Sequence, residues 1–211
     1  MTPYFFLLVF GVGCLLTVFR NPIYGLYTYV FTFYMSPAHN WWGALIPDLR
    51  YLFIIGVLTL IATLLQPRAL SRRKWLSFFP AKVLLCLISY MWLQILWAHD
   101  FEIHFEGTIM FTKHLLVYYL VFELINTRQR LDTFILLHIV GCFYFGYLAL
   151  GAGGGRLETV GGPVGGANEL GLHVTTAAII GGMMWLTYTG WKRHIITVSM
   201  PFIINTLILT V

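Results

Sequence analysis

Long runs of apolar residues separated by short polar breaks extend along the whole chain. Eight of these runs approach the length of about 20 residues that a helix needs to cross a bilayer. They cover 3–19, 22–36, 51–66, 79–97, 108–124, 133–150, 171–189 and 195–211. A run such as LFIIGVLTLIATLL lacks the alternation of a barrel strand, and backbone in lipid must satisfy its own hydrogen bonds. The pattern therefore predicts an all-α, polytopic membrane protein with about eight transmembrane helices.

The composition supports this interpretation. The chain is 59% hydrophobic and only 10% charged, whereas a soluble domain has about a quarter of its residues charged. We therefore expect a single transmembrane domain over residues 1–211, without a soluble domain. The last apolar run stops without a polar flank, so we expect the chain to be the N-terminal part of a longer protein.

The basic residues divide unequally between the two ends of the predicted helices. When the loops are assigned alternately to the two sides, one side receives ten of the 13 Lys and Arg residues. These are Arg20, Arg68, Arg72, Arg73, Lys74, Lys82, Arg128, Arg130, Lys192 and Arg193. By the positive-inside rule this side is cytoplasmic, where we expect its basic loop to meet anionic lipid headgroups. The loop over 151–170 then lies outside, on the periplasmic face of a bacterial inner membrane.

The outside loop contains the stretch GGGRLETVGGPVGGANELG, from Gly153 to Gly171. Glycines let the backbone approach a ligand closely, and Arg156 offers a bidentate clamp for a phosphate. Asn168 is suited to cap the following helix, whose N-terminus favours negative charge. These features predict an anion site. The alternatives are a loop that binds nothing, and an Arg156 that only pairs with Glu158 or Glu169.

Two further stretches contain candidates for chemistry. HDFEIHFE, which begins at His99, combines histidines and carboxylates, but its spacing matches no closed metal motif, so we expect a polar outer loop and no metal. Lys113 lies about 9 Å inside the fifth predicted span if that span starts near Gly107. Such a lysine either extends to the outer interface or faces a polar cavity.

Three stretches carry a resemblance to a known family. GGGRLETVGGPVGGANELG resembles the segment of O-antigen ligases and polymerases in which an arginine precedes a glycine-rich turn and an asparagine-containing helix start. RNPIYGLYTYVFTFYMSPAHNWWG is similar to the R-P-x-x-G-L…Y-M-x-P-H opening of one branch, the O-glycosylation ligases of the exosortase A system, with Asn21 inserted. LWAHDFEIHFEGTIMFTKHLL is similar to that branch's outer loop and lysine-bearing span.

The resemblance implies a glycosyltransferase that moves a glycan from undecaprenyl diphosphate to a lipid, glycan or protein acceptor. It implies no cofactor and no nucleic-acid partner, and it leaves room for membrane-protein partners. We assign the donor diphosphate to Arg156, Lys113, Asn168 and Glu169, without a catalytic residue. Such proteins usually have about a dozen spans, and their second half carries a further arginine and a histidine. A non-catalytic membrane subunit and a transporter of lipid-linked glycans stay open as alternatives.

Overall fold

The computed structural model of the protein describes residues 2–66, 74–151, 157 and 163–210. The described part is all-helical and has no strand. Its α-helices are α1 (Thr2–Phe19), α2 (Ile23–Tyr34), α3 (Tyr51–Leu65), α4 (Phe79–Gln94), α5 (Phe101–Leu124), α6 (Arg128–Ala149), α7 (Ala167–Thr187) and α8 (Trp191–Thr210). Each helix overlaps one of the predicted apolar runs, so the all-α class is confirmed.

Five of these helices are long and apolar enough to cross a membrane: α1, α4 with the 3-10 turn that follows it, α6, α7 and α8. The other three depart from a simple span. α2 and α3 have only 12 and 15 residues, and α5 carries Glu102, Glu106 and Lys113 in its outer half by the predicted topology. The architecture is that of a helical membrane protein, and the crossing of α2, α3 and α5 stays a prediction.

α5, α6, α7 and α8 begin four to seven residues before the predicted apolar runs, and two of these starts bear on predicted polar sites. α5 begins at Phe101, so most of HDFEIHFE forms helical turns and not a loop. The Asp100 carboxylate accepts a hydrogen bond of 3.1 Å from the Ile103 N–H, which caps a helix whose first turns are polar. α7 begins at Ala167, and Gly166 occupies the N-cap position that was expected for Asn168. Residues 167–170 therefore belong to the helix and not to the loop.

The largest core cluster joins α6, α7 and α8. It includes Ile139, Phe145, Val174, Ile196 and Ile203, which are all fully buried. α6 and α8 approach closely at Gly146, where an added Cβ would lie 2.6 Å from the backbone oxygen of Phe202. Small residues at helix contacts let membrane helices pack backbone to backbone. This three-helix group supports the Gly-rich stretch that connects α6 to α7.

α2 lies at the centre of the other half of the bundle, in contact with α1, α3, α5 and α6. A Cβ added at Gly25 would lie 2.1 Å from the Thr59 hydroxyl oxygen of α3 and 2.8 Å from the Thr17 methyl carbon of α1. Leu120 and Leu124 of α5 pack against Ile23 and Leu26 of α2. α4 packs mainly on α5 and is the least buried of the five long apolar helices.

Candidate functional site

The described residues of the Gly-rich stretch are tied to one end of the three-helix group. Leu157 is buried, and its N–H donates a 2.9 Å hydrogen bond to the backbone oxygen of Leu209, near the end of α8. Val164 is buried in the same core cluster. α8 ends beside the start of α7, since a Cβ added at Gly171 would lie 3.4 Å from the Thr210 hydroxyl oxygen. The stretch is therefore anchored where α7 begins and α8 ends.

Arg156, the predicted phosphate clamp, lies outside the described residues. Its chain neighbour Leu157 is described and fixed by the bond to α8. The pairing of Arg156 with Glu158 or Glu169 is likewise not described. Its role as an anion ligand stays a prediction from the sequence.

The start of α7 has a specific hydrogen-bonding arrangement. Gly166 is extended, and the first bond within the helix runs over 3.0 Å from the Leu170 N–H to the Gly166 oxygen. N–H groups ahead of that bond have no carbonyl acceptor inside the helix. The Glu169 carboxylate accepts a 2.7 Å bond from the Gly165 N–H, much as the glutamate of a capping box does. Asn168 is exposed in this first turn.

Glu169 thus has a structural role in addition to its predicted one. Its carboxylate holds the glycine turn in place and puts a negative charge at the positive end of the α7 dipole. That charge opposes a second anion at the same position. A diphosphate here needs compensating cations, and Arg156 is the basic residue of the loop that could supply one.

Lys113 lies apart from these residues. It lines a groove of about 300 Å³ between α3 and α5, with Tyr29 of α2 among the lining residues. The lining residues come from α2, α3 and α5, and none comes from α7. The structure therefore brings Asn168 and Glu169 together in one helical turn, while Lys113 has a groove of its own.

A polar cluster that the sequence analysis did not identify lies between α2, α6 and α7. The Tyr34 hydroxyl is 2.5 Å from His138 Nδ1 and 3.6 Å from Cys142 Sγ. The Cys142 thiol also lies 3.7 Å from the backbone oxygen of His173, and the His138 and His173 rings are 6.1 Å apart. His138 Nε2 is buried without a hydrogen-bond partner among the described atoms.

Further polar groups adjoin this cluster at the end of α2. The Tyr144 hydroxyl donates a 3.0 Å bond to the side-chain oxygen of Asn40. Ser36 Oγ lies 3.1 Å from Nδ1 of His39, which is exposed. Glu169 lies one helical turn before His173 on α7, on the same face. Hydroxyl, imidazole and amide groups of α6 and of the segment that follows α2 therefore form hydrogen bonds with one another, and such groups suit the binding of hydroxyl-rich ligands.

In the described part of the chain, no three His, Cys, Asp or Glu side chains lie close enough to hold a metal ion together. Two members of HDFEIHFE have other partners. His104 Nε2 lies 2.9 Å from the backbone oxygen of Met91, and Asp100 caps α5. The described site thus consists of hydrogen-bonding groups, with its predicted cation outside the described residues.

Fold and site together define an α-helical membrane protein with a polar cluster between α2, α6 and α7. Comparison with models of protein families finds no match. No curated protein and no solved structure matches the chain either.

Proposed function

We propose that the protein is a membrane glycosyltransferase of the O-antigen ligase or polymerase type, in which this chain supplies the membrane-embedded donor site. The donor is a glycan on undecaprenyl diphosphate, and transfer takes place on the periplasmic face. The acceptor is a lipid, a glycan or a protein hydroxyl. The proposal combines the sequence resemblance with the arrangement at the start of α7.

The observation that carries the proposal is the bond from the Leu157 N–H to the Leu209 oxygen. It fixes the residue that follows Arg156 beside the end of α8, and that end adjoins the first turns of α7. An arginine next to Leu157 has a reach of several ångströms through its side chain. Arg156 and the N-terminus of α7 can therefore act on the same anion.

The chemistry of the transfer needs this kind of site. Negative charge builds up on the diphosphate as the glycosidic bond to it breaks, and fixed positive groups in a water-poor site stabilise that charge. An arginine presents two parallel N–H donors to phosphate oxygens, and the start of a helix adds a partial positive charge. The polar groups of Asn40, Tyr144 and His39 supply hydrogen-bond donors and acceptors for the sugar hydroxyls.

Substitution of Arg156 in the full-length protein tests the proposal. Arg156→Ala should abolish glycan transfer at unchanged abundance in the membrane. Arg156→Lys should also be impaired, because a lysine cannot make the bidentate contact. Arg50→Ala is the matched control, since Arg50 is an exposed basic residue just before α3. Normal transfer by Arg156→Ala at normal abundance would contradict the proposal.

A further inference from the structure

The groove that contains Lys113 has an ordered lining. α3 contributes Leu52, Phe53, Gly56, Val57 and Leu60, and α5 contributes Lys113, Leu116, Val117 and Leu120. In both series every residue has another member of the series three or four positions away, so each series comes from one face of its helix. From Leu52 to Leu60 the helix rises about 12 Å. The groove is therefore elongated and mostly apolar, and it runs between α3 and α5.

The two helices run in the same direction along this groove. Leu60, at the far end of the α3 series, packs in the cluster that contains Leu120 and Leu124 of α5. Lys113, the first residue of the α5 series, therefore lies towards Leu52 and the beginning of α3. The groove has one cationic end, and hydrocarbon lines the remainder.

The cationic end lies close to a polar boundary. Asp48 and Arg50, both exposed, directly precede α3, and Leu52, which lines the groove with Lys113, follows Arg50 by two residues. Within the described residues, the Lys113 ammonium has no ion-pair or hydrogen-bond partner. A charged side chain beside hydrocarbon is costly unless an anion or water meets it. The groove is also open to the side, since Phe53 and Leu116 are exposed.

We propose that this groove binds an anionic phospholipid, with its phosphate on the Lys113 ammonium and one acyl chain between α3 and α5. The single positive charge matches a phosphodiester, which carries one negative charge. A diphosphate carries more charge, and no second cation lines the groove among the described residues. This site does not depend on the proposed function, and it assigns Lys113 to a membrane lipid instead of the donor diphosphate.

Lipid retention by the purified full chain tests the site. The protein is delipidated in detergent and exposed in separate experiments to phosphatidylglycerol, phosphatidylcholine or undecaprenyl phosphate, and bound lipid is counted by native mass spectrometry. The variants are Lys113→Met, Lys113→Arg and Gly56→Leu. At Gly56 an added Cβ meets only the Tyr29 ring, at 3.7 Å, so a leucine there fills the groove and leaves the lysine in place. Lys82→Met removes an exposed lysine outside the groove.

We expect wild type to retain phosphatidylglycerol in preference to the other two lipids. Lys113→Met should lower this retention about fivefold, the effect of one lysine near an anionic lipid, and Gly56→Leu should lower it as well. Lys113→Arg and Lys82→Met should retain it. Melting temperatures of all variants separate loss of the site from loss of the fold. Equal retention of phosphatidylglycerol by folded Lys113→Met and by wild type overturns the proposal. Wild-type protein that does not prefer phosphatidylglycerol over both phosphatidylcholine and undecaprenyl phosphate also overturns it.

Discussion

The hydroxyl of Tyr34, at the end of α2, lies 2.5 Å from Nδ1 of His138 in the middle of α6. The two residues are 104 positions apart in the chain. Tyr34 also packs against Phe145, and its ring fills the space beside Gly141. This partly buried polar contact joins α2 to α6 and so links the two halves of the bundle.

Tyr34→Phe should destabilise the protein by about 1–3 kcal/mol, because the imidazole loses its partner in a buried position. The substitution keeps the ring and its packing, so the change in stability measures the contribution of the hydroxyl group. The melting temperature in detergent micelles measures it. Tyr147→Phe removes the hydroxyl of an exposed tyrosine on α6, the helix that carries His138, and should leave the melting temperature unchanged. Equal melting temperatures for both variants would show that the Tyr34 bond contributes nothing.

Gly146→Ala should destabilise the contact between α6 and α8 by about 1–3 kcal/mol, the usual effect of overpacking. The new Cβ would lie 2.6 Å from the Phe202 backbone oxygen, which cannot rotate away as a side chain can. Gly182→Ala is the matched control, because a Cβ there meets nothing within 4 Å. That variant should be neutral or slightly stabilising, since alanine favours helix over glycine. The order of the two melting temperatures checks the prediction, and the reverse order refutes it.

Asp132, Tyr188 and Lys192 should act as one unit that fixes the connection between α7 and α8. Lys192 Nζ lies 2.8 Å from an Asp132 carboxylate oxygen, and the Tyr188 hydroxyl donates to the other oxygen. Asp132→Asn and Lys192→Met should each destabilise the protein. Their combined effect should fall short of the sum of the single effects by about 0.5–3 kcal/mol. Additive losses in this double-mutant cycle, read from unfolding in detergent, would mean that the pair is not coupled.

The predicted topology can be tested at two exposed residues. Ala38→Cys lies in the segment before α3 and should react with a membrane-impermeant maleimide in intact cells. Ser77→Cys, just before α4, should react only after lysis. Both residues are exposed in the structure. In the predicted topology Ala38 lies on the same side of the membrane as Thr159, and Ser77 lies on the same side as Ser71. Thr159 and Ser71 themselves lie outside the described residues. The background should lack the native cysteines. Labelling of Ser77→Cys in intact cells would show that the segment before α4 lies outside, and it would contradict the predicted topology.

The helices could be predicted from the sequence because the first seven apolar runs are followed by polar or helix-breaking residues. The segment 51–66 matched α3 to within one residue, since Gln66 and Pro67 end the run. The start of α5 was missed by seven residues. Hydropathy detects the part of a helix that suits lipid, whereas FEIHFE continues the helix with polar turns capped by Asp100.

The polar cluster could not be predicted in the same way. Tyr34, His138, Cys142 and His173 come from three helices, and each stands alone among apolar neighbours. Their proximity depends on how α2, α6 and α7 pack, which no local spacing encodes. The one available signal was the presence of single histidines within apolar runs, since ionisable groups in such positions are costly and tend to be functional.

The hydrogen bond of Leu157 to α8 affects the conformational entropy of the connection between α6 and α7. With its N–H bonded to Leu209, Leu157 splits the connection between α6 and α7 into two short closures in place of one long one. The entropy of closing a loop rises with its length, and residues held near their bound positions lose less freedom when a ligand arrives. For the proposed anion site, the consequence is that the residue next to Arg156 is already fixed before any ligand binds, which lowers the entropy cost of binding.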